Sequence, residues 1–375
     1  MKIVLTGGGT GGHFYPIIAV AEALHELSEE ERLLTPDIML MSDAKYDSKM
    51  LAASGVGFKK IQAGKIRRYF SILNITDTFK TLLGIIKAIW VVYKNMPDVI
   101  MGKGGYASFP PLLAARIFGI PVIIHESDSI PGKVSLWASK FAKRVAISFP
   151  ETAKFFPKSK TALTGTPVRK GILGFTPEEG REVFNLEKTI PTILILGGSQ
   201  GAQKINDIVL DIVPELVKSF QIIHQCGVKN EPETKGRADV VLVNSVFKNR
   251  YQVYGSLDDS MLRNASSVAD IIISRGGGSA IYEIALWGIP SIIIPIYKSA
   301  QDHQRENAYS YARSGAAEVI EEINLTPNIL LSEVMRIATD EKTRESMSRS
   351  AQKFAKPEAA RKIAQEIINL VLKHS

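Results

Sequence analysis

The sequence contains a single cysteine and no long apolar run. Cys226 has no partner within the chain, which excludes an intramolecular disulfide and a disulfide-stabilised scaffold. The most apolar stretch, residues 82–93, is about 12 residues long and contains Lys87, whereas a membrane-spanning helix needs about 20 residues. The first apolar run, residues 3–5, is too short for a signal peptide. We therefore expect no transmembrane helix and a cytoplasmic protein.

Several ligand-binding motifs are also missing. No Gly-Lys pair is followed by Ser or Thr, which disfavours a P-loop ATPase. No Asp-x-Asp and no His/Cys cluster with metal-ligand spacing occurs, so we expect no metal or cofactor. An acidic residue about 20 residues after a glycine fingerprint would hold the ribose of a dinucleotide. Residues 29–31 lie near that distance in a polar helix end and Asp43 lies further on, so a dehydrogenase is the less favoured alternative.

The charge is unevenly distributed. With 45% apolar and 22% charged residues the composition is that of a globular protein, and the formal charge of +8 is compatible with nucleic acid, an anionic small molecule or an acidic membrane. Residues 1–165 contain 21 basic and 13 acidic residues, whereas residues 166–375 contain 25 of each. The excess positive charge therefore belongs to the first half.

Short β-branched runs alternate with helical patterns along the whole chain. Continuous apolar strands separated by helices indicate buried parallel sheets, hence doubly wound α/β domains. The predicted strands are residues 3–5, 38–41, 99–101, 122–124, 192–196, 221–223, 240–243, 271–273 and 292–294.

The two halves repeat each other. The segment Asp98–Gly105, followed by Gly119-Ile-Pro121, recurs as Asp270–Gly277, followed by Gly288-Ile-Pro290. Two Rossmann-like domains in tandem explain this repeat. We predict domains at residues 1–165 and 166–345. A helical segment at 346–375 has one apolar stripe that packs either on its own domain or on the first.

Four glycine loops follow predicted strands, at residues 7–12, 102–105, 197–201 and 276–278. A strand that passes through glycines into a helix presents backbone N–H groups and a positive helix end, which bind phosphate. The alternative is that each glycine only permits a tight turn. Polar residues collect at the same strand ends, which favours ligand sites that face a cleft: His13, His125, Glu126, Asp128, Arg169, Glu283, Gln304 and Asn307.

Six ordered motifs between residues 1 and 320 resemble the MurG family of glycosyltransferases. They are Gly8-Gly-Thr-Gly-Gly-His13, Gly102-Lys-Gly-Gly-Tyr106, Ile124-His-Glu126, Gly165-Thr-Pro-Val-Arg169, Gly197-Gly-Ser-Gln-Gly-Ala202 and Asp302-His-Gln304-Arg-Glu-Asn307-Ala. The resemblance implies the GT-B fold, in which two Rossmann-like domains face a cleft. It places the nucleotide sugar mainly on the second domain and the lipid-linked acceptor on the first.

The implied reaction is an inverting transfer of GlcNAc from UDP-GlcNAc to the MurNAc 4-hydroxyl of undecaprenyl-pyrophosphoryl-MurNAc-pentapeptide (lipid I), which gives lipid II. This hexosyltransferase activity belongs to peptidoglycan synthesis, and so to cell-wall biogenesis, cell shape, cell division and the cell cycle. Proteins of cell-wall synthesis and division are implied partners. The alternatives are a related GT-B enzyme with another lipid acceptor, such as diacylglycerol, and a non-catalytic scaffold that binds nucleotide sugars.

By position, the resemblance assigns roles to individual residues. Glu283 would accept the ribose hydroxyls, and Gly104, Gly105 and Tyr106 would lie on the acceptor side. An inverting displacement needs a base on the acceptor hydroxyl, for which His13 and Glu126 are the candidates. The donor contacts are Thr10, Gly11, Gly12, Asp128, Arg169, Ser199, Leu257, Gly278, Ser279, Ala280, Ile281, Tyr282, Glu283, Gln304 and Asn307. The family usually has Asn where this chain has Asp128, which lacks an amide donor and adds a negative charge.

The basic excess is densest at residues 59–103, with nine basic residues against two acidic ones. For the helix around residues 79–94 we expect the apolar side to pack on the sheet. The preceding segment mixes basic and apolar residues without helical periodicity, and we expect it to bind an anionic membrane peripherally on the cytoplasmic face of the inner membrane. Its proposed contacts are Arg67, Arg68, Phe70, Ile72, Leu73 and Ile75. Nucleic-acid binding is not expected, because no recognition module accompanies the charge.

Overall fold

A computed structural model describes residues 1–8, 10–64, 73–174, 176–198, 201–297, 299 and 302–374. Its chain divides into two compact units, one of Met1–Arg169 with Lys356–Ser375 and one of Lys170–Ala355. The first boundary lies four residues beyond the predicted one at 165, so Arg169 belongs to the first unit.

Strands and helices alternate along both units. The strands are β1 (Lys2–Thr6), β2 (Asp37–Ser42), β3 (Gly57–Lys60), β4 (Val99–Gly102), β5 (Val122–Glu126), β6 (Arg144–Ile147), β7 (Thr161–Leu163), β8 (Thr192–Leu196), β9 (Gln221–Gln225), β10 (Tyr251–Tyr254), β11 (Ile271–Ser274), β12 (Ser291–Ile293) and β13 (Ala317–Val319). The helices are α1 (Gly11–Glu30), α2 (Ser48–Ala53), α3 (Leu73–Asn95), α4 (Phe109–Ile117), α5 (Lys133–Ala138), α6 (Pro177–Val183), α7 (Gln203–Leu216), α8 (Glu231–Val241), α9 (Asp259–Val268), α10 (Gly278–Trp287), α11 (His303–Ala312), α12 (Pro327–Thr339), α13 (Glu341–Phe354) and α14 (Ala359–His374).

Both units contain a wholly parallel sheet with the same strand order. The first sheet runs β3-β2-β1-β4-β5-β6-β7, and the second runs β10-β9-β8-β11-β12-β13. Counted within each unit, the first six strands follow the order 3-2-1-4-5-6 of the Rossmann fold. In this order the carboxyl ends of β1 and β4, and of β8 and β11, lie at the points where the chain reverses direction across the sheet. Ligands bind at such points in open α/β sheets.

The prediction of a strand at residues 240–243 was wrong. These residues end α8 and continue into a turn, and Val240 and Val243 are largely exposed. The strand in this region is β10. Its residues alternate between buried and half-buried, so it has no continuous apolar run like those of the central strands. The search for apolar, β-branched runs also missed β3, β6, β7 and β13. These strands are only three or four residues long.

The C-terminal segment expected at 346–375 is divided between the units. Residues up to Phe354 belong to α13 in the second unit, whereas α14 packs along α1 in the first. The apolar stripe of α14 is buried in the first core, with Ile367 fully inaccessible. At the helix surface Arg361 forms a bidentate ion pair with Glu30.

The expectation that α3 packs its broad apolar side on the sheet was also wrong. The residues buried in the core are the smaller Ala88, Val91 and Val92, and a Cβ added at Gly84 would lie only 1.7 Å from the backbone oxygen of Gln62. The opposite stripe, here called the α3 apolar face, is 46–65% exposed and consists of Phe79, Leu82, Leu83, Ile86, Trp90 and Tyr93.

Within the described ranges, no helix combines the length and hydropathy that crossing a membrane requires.

Candidate functional site

The first glycine loop joins β1 to α1. A Cβ on Gly8 would lie 2.6 Å from side-chain oxygens of Ser42 and Asp43, so only glycine fits there. Thr10 is the N-cap residue of α1, and its side chain makes no capping hydrogen bond. The following Gly11 and Gly12 open the helix, where N–H groups have no intrahelical acceptor. The predicted residues Thr10, Gly11 and Gly12 thus form a helix start suited to an anion.

The second glycine loop follows β4, the neighbour of β1 in the sheet. Gly104 and Gly105 have φ angles of 82° and 77°, a conformation that favours glycine. Tyr106 donates a hydrogen bond from its hydroxyl to Oδ2 of Asp43 at 2.6 Å. Burial and this bond raise the pKa of Tyr106 above its ordinary value. Asp43 is therefore engaged by a protein side chain, which argues against a role in holding a dinucleotide ribose.

The third loop follows β5 and begins with His125 and Glu126, both buried. Glu126 accepts backbone hydrogen bonds from Asp128 at 3.2 Å and Gly132 at 3.1 Å. Burial and the Asp128 carboxylate raise the pKa of Glu126. A carboxylate with a raised pKa and fixed orientation suits proton transfer.

His125 has a structural position. Its Nε2 lies 3.0 Å from the carbonyl oxygen of Gly165, to which it can donate. Burial, followed by the charge of Lys103, keeps the pKa of His125 well below its ordinary value, so the ring is neutral. The imidazole thereby fixes the chain just before Arg169.

The two candidate bases flank one pair of glycines. A Cβ at Gly105 would lie 3.5 Å from Nε2 of His13, and a Cβ at Gly104 would lie 3.9 Å from Oε2 of Glu126. The structure thus brings His13, Glu126 and the predicted acceptor-side residues together at the carboxyl ends of β1, β4 and β5.

Arg169 is 4% exposed, and its guanidinium lies 3.7 Å from the centre of the Tyr15 ring. The Tyr15 ring in turn meets that of Tyr46 edge to face. This stacking holds the guanidinium beside α1 within the first unit.

In the second unit the loop after β8 is shaped by close backbone contacts. A Cβ on Gly201 would lie 2.7 Å from the carbonyl oxygen of Cys226, and φ at this glycine is 78°. The predicted donor contact Ser199 lies outside the described residues. Leu257 is buried between β10 and α9.

A buried hydrogen-bond chain supports this loop from below. Asn206 donates from Nδ2 to the carbonyl oxygen of Cys226 at 3.0 Å, and its Oδ1 lies 3.1 Å from Nε2 of His224. The other ring nitrogen of His224 lies 2.7 Å from the Tyr251 hydroxyl. Because Asn206 Oδ1 can only accept, Nε2 carries the proton and Nδ1 accepts from Tyr251.

The fourth glycine loop leads into α10. Asn307 is fully buried on α11 and donates from Nδ2 to the carbonyl oxygen of Gly276 at 3.2 Å. A Cβ on Gly276 would lie 2.4 Å from the backbone oxygen of Gln304, whereas a Cβ on Gly277 would have no atom of the described residues within 4 Å. The side-chain oxygen of Gln304 accepts from the backbone N–H of Ile296.

The predicted donor residues on α10 divide into two groups. Gly278, Ser279 and Ala280 form the first turn, and Glu283 is half-buried one turn further on. Ile281 and Tyr282 bury their side chains in the core, and the Ile281 N–H donates to Gly277. Ile281 and Tyr282 therefore present no side chain at the helix start, because their positions on α10 face inward.

Sequence reasoning missed three features of these sites. The first is Lys103, which is buried beside the candidate bases. The Lys/Arg-Gly-Gly repeat contains this residue and could have pointed to it. Arg275, its counterpart, pairs with Glu322 at 2.7 Å. The buried hydrogen bonds that link Asn206, His224 and Tyr251 join residues far apart in sequence, and no sequence motif indicates them. Among the described residues, no group of three His, Cys, Asp or Glu side chains is close enough to hold a metal ion.

Comparison with known proteins agrees with both units. Residues 3–147 match the glycosyltransferase family 28 N-terminal domain, and residues 192–366 match the family 28 C-terminal domain. A Treponema denticola protein named UDP-N-acetylglucosamine–N-acetylmuramyl-(pentapeptide) pyrophosphoryl-undecaprenol N-acetylglucosamine transferase is 38% identical over 338 residues, which cover 88% of this chain and 86% of the relative. The Clostridium kluyveri protein of the same name is 34% identical and covers 100% and 99%.

Solved structures show the same fold. The crystal structure of Acinetobacter baumannii MurG has a TM-score of 0.71 at 26% identity, and the alignment covers 98% of this chain and 99% of that one. A Neisseria meningitidis UDP-GlcNAc 2-epimerase shares the fold alone, with a TM-score of 0.66 at 16% identity and full coverage of both chains.

Two Rossmann-like units with glycine loops at their strand ends define a glycosyltransferase of the GT-B fold. The chain belongs to glycosyltransferase family 28, within the MurG family that its motifs predict.

Proposed function

We propose that this enzyme transfers GlcNAc from UDP-GlcNAc to the MurNAc 4-hydroxyl of lipid I, with inversion, to form lipid II for peptidoglycan synthesis. The observation that carries the proposal is the near-full-length similarity to relatives named for this activity, at 33–38% identity. The buried carboxylate of Glu126 and the half-buried imidazole of His13, at strand ends of the first unit, are the two candidates for the base that such a transfer requires.

The donor would bind to the second unit. The first turn of α10 offers N–H groups at the positive end of a helix, which suit a pyrophosphate whose charge grows as UDP leaves. Asn307 holds the loop before that turn through the carbonyl oxygen of Gly276, and Gln304 holds Ile296 in the loop after β12. Glu283, one turn along the same helix, would accept the two ribose hydroxyls. Because these groups supply the charge stabilisation, we expect turnover to persist in a metal chelator.

The acceptor would bind to the first unit. Gly104 and Gly105 allow a phosphate or sugar to approach the backbone closely, and His13 and Glu126 lie on either side of them. The base takes the proton of the 4-hydroxyl as its oxygen attacks the anomeric carbon, and UDP leaves from the opposite face. Arg169, stacked on Tyr15, would add a fixed cation for the donor phosphates.

Lipid I is held in a bilayer, and the α3 apolar face offers a means of reaching it. Lys80, Lys87 and Lys94 are exposed along the same helix. Apolar side chains flanked by lysines match the headgroup region of an anionic membrane, where each charge contributes about 1 kcal/mol. We therefore propose peripheral attachment to the cytoplasmic face of the cell membrane through α3. The residues predicted for this role, Arg67, Arg68, Phe70 and Ile72, lie outside the described residues, as do the side chains of Leu73 and Ile75.

The decisive experiment measures UDP release from UDP-GlcNAc with a soluble lipid I analogue, and with diacylglycerol vesicles in parallel. Turnover only with the lipid I analogue supports the proposal, whereas turnover only with diacylglycerol identifies another lipid glycosyltransferase. UDP binding by calorimetry without turnover on either acceptor would identify a scaffold. A repeat in EDTA tests metal independence.

A further inference from the structure

Lys103 and Arg275 occupy equivalent places in the two units but differ in their partners. Lys103 follows β4, which pairs with β1, and Arg275 follows β11, which pairs with β8. Each of the two residues precedes two glycines. Arg275 donates to Glu322 at 2.7 Å and to the carbonyl oxygen of Ile294 at 3.2 Å. Lys103 is 1% exposed, and its Nζ has no hydrogen-bond partner among the described residues. Within the described part of the first unit, this buried cation therefore lacks the hydrogen-bonded partners that Arg275 has.

The position of Lys103 is fixed by close packing. A Cβ added to Gly7 would lie 3.0 Å from Cβ of Lys103, and the Lys103 backbone N–H donates to Thr6 at 2.7 Å. An ammonium removed from water costs several kcal/mol unless opposite charges compensate for it. A compensating charge must therefore lie nearby.

Two carboxylates, Glu126 and Asp128, supply that charge. β4 and β5 are neighbours, with Gly102 opposite Ile124, so the loops that carry Lys103 and Glu126 start side by side. A Cβ added to Gly104, the residue after Lys103, would lie 3.9 Å from Oε2 of Glu126. Burial lowers the pKa of Lys103 from 10.5 to about 8, and Glu126 and Asp128 raise it, so the ammonium remains mostly charged at pH 7.

Glu126 experiences opposing influences. Burial and Asp128 raise its pKa, whereas the Ser135 hydroxyl, Lys103 and the Gly132 N–H lower it. The remaining titratable neighbours are His125, which is neutral, and His13. Without the ammonium, two adjacent carboxylates in a buried loop would favour protonation of one of them.

We propose that Lys103 is a positioning residue whose buried ammonium balances the Glu126–Asp128 pair and keeps Glu126 ionised for transfer. This inference rests on the proposed function, in which Glu126 is a candidate base. It predicts opposite effects for the two neighbouring charges: loss of Lys103 favours protonation of Glu126, and loss of the Asp128 charge disfavours it.

The test compares Lys103→Met, Asp128→Asn and the double variant. Lys133→Met is the control, because it removes a lysine that is exposed to solvent. In the pH profile of kcat/KM, we expect the midpoint of the acid limb to shift to higher pH by about one unit in Lys103→Met and to lower pH in Asp128→Asn. In the double variant it should return toward the wild-type midpoint. Lys133→Met should leave it in place. Because the double variant also removes one of the two carboxylates that Lys103 balances, it is measured in place of Lys103→Met if that single variant is unstable.

A second measurement separates this inference from the proposed function. In protein labelled with 13C at the glutamate carboxyl, the Glu126 signal is assigned by its loss in Glu126→Gln and titrated in each variant. A Glu126 titration that Lys103→Met leaves unmoved would overturn the inference. A titration that moves while the kinetic limb stays in place would overturn the role in transfer. If the wild type shows no turnover on lipid I, the proposed function fails and the titration alone decides the role of Lys103.

Discussion

Asn307 on α11 donates a hydrogen bond of 3.2 Å to the carbonyl oxygen of Gly276, in the loop that opens α10. Because Gly276 has no side chain, the structure holds this residue through its backbone carbonyl oxygen. We therefore expect Asn307→Ala to weaken UDP binding about tenfold, equivalent to the roughly 1.4 kcal/mol of one buried hydrogen bond. Calorimetry with UDP measures this. Arg305→Ala on the same helix is the control, because its ion pair with Glu321 is on the surface. Equal affinities in the two variants would contradict a positioning role for Asn307.

Neighbouring glycines in this loop provide a matched pair. Gly276→Ala places a Cβ 2.4 Å from the backbone oxygen of Gln304, which cannot move without shifting α11. The Cβ of Gly277→Ala would meet no atom within 4 Å in the part of the chain that the structure describes, and the φ of −70° at Gly277 suits alanine. We expect Gly276→Ala to lose about 1–3 kcal/mol of stability from overpacking and Gly277→Ala to change it by less than about 0.5 kcal/mol. Urea unfolding compares them, and similar losses in both would show that the loop is not tightly packed.

His224 should make the second unit less stable in acid. Burial lowers its pKa from 6.5 to about 3, so on acidification the unfolded chain takes up a proton that the folded chain does not. The contribution of neutral His224 to the free energy of unfolding is complete above pH 6.5. It is lost as the pH falls toward 3, by up to about 1.4 kcal/mol per pH unit.

The measurement is urea unfolding between pH 4 and 7, followed by Trp287 fluorescence in a Trp90→Phe/Trp137→Phe background. His224→Gln should flatten the dependence, whereas His303→Gln, half-buried on α11, should retain the wild-type slope. A slope unchanged by His224→Gln would exclude His224 as its source.

The α14 helix should stabilise the first unit rather than the second. Ile367 is fully buried against the first core, so Ile367→Ala is expected to destabilise this unit by about 2–5 kcal/mol. Trp137 reports on the first unit when Trp90 and Trp287 are replaced by Phe. Leu372→Ala is the control, since Leu372 lies on the same helix and is 53% exposed. A loss of stability reported by Trp287 in its own background, but not by Trp137, would contradict the placement of α14.

The sequence indicated the central strands and glycine loops because buried parallel strands are continuous apolar runs and tight strand-to-helix turns need glycine. It could not place α14, because one apolar stripe fits either core. It misassigned residues 240–243, where three exposed valines mimic a strand. For α3, both sides are apolar, and close packing at Gly84 selects the side with small residues for the core. The balance of Lys103 against Glu126 and Asp128 depends on which strands are neighbours, and the order of strands along the chain does not reveal this.

The exposed side of α3 leads to the last prediction, which concerns membrane binding. Trp90→Ser/Ile86→Ser removes two exposed side chains of the α3 apolar face, and we expect strongly reduced co-sedimentation with vesicles that contain anionic lipid. Lys87→Gln/Lys94→Gln should weaken binding by about 1 kcal/mol per charge, with a smaller dependence on salt. The control is Val240→Ser/Val246→Ser, which removes similarly exposed apolar side chains from the second unit. UDP affinity should be unchanged in all three variants, because α3 belongs to the first unit and the valines lie outside the donor loops. Wild-type binding that is insensitive to salt, or lost equally in the valine variant, would rule out attachment through α3.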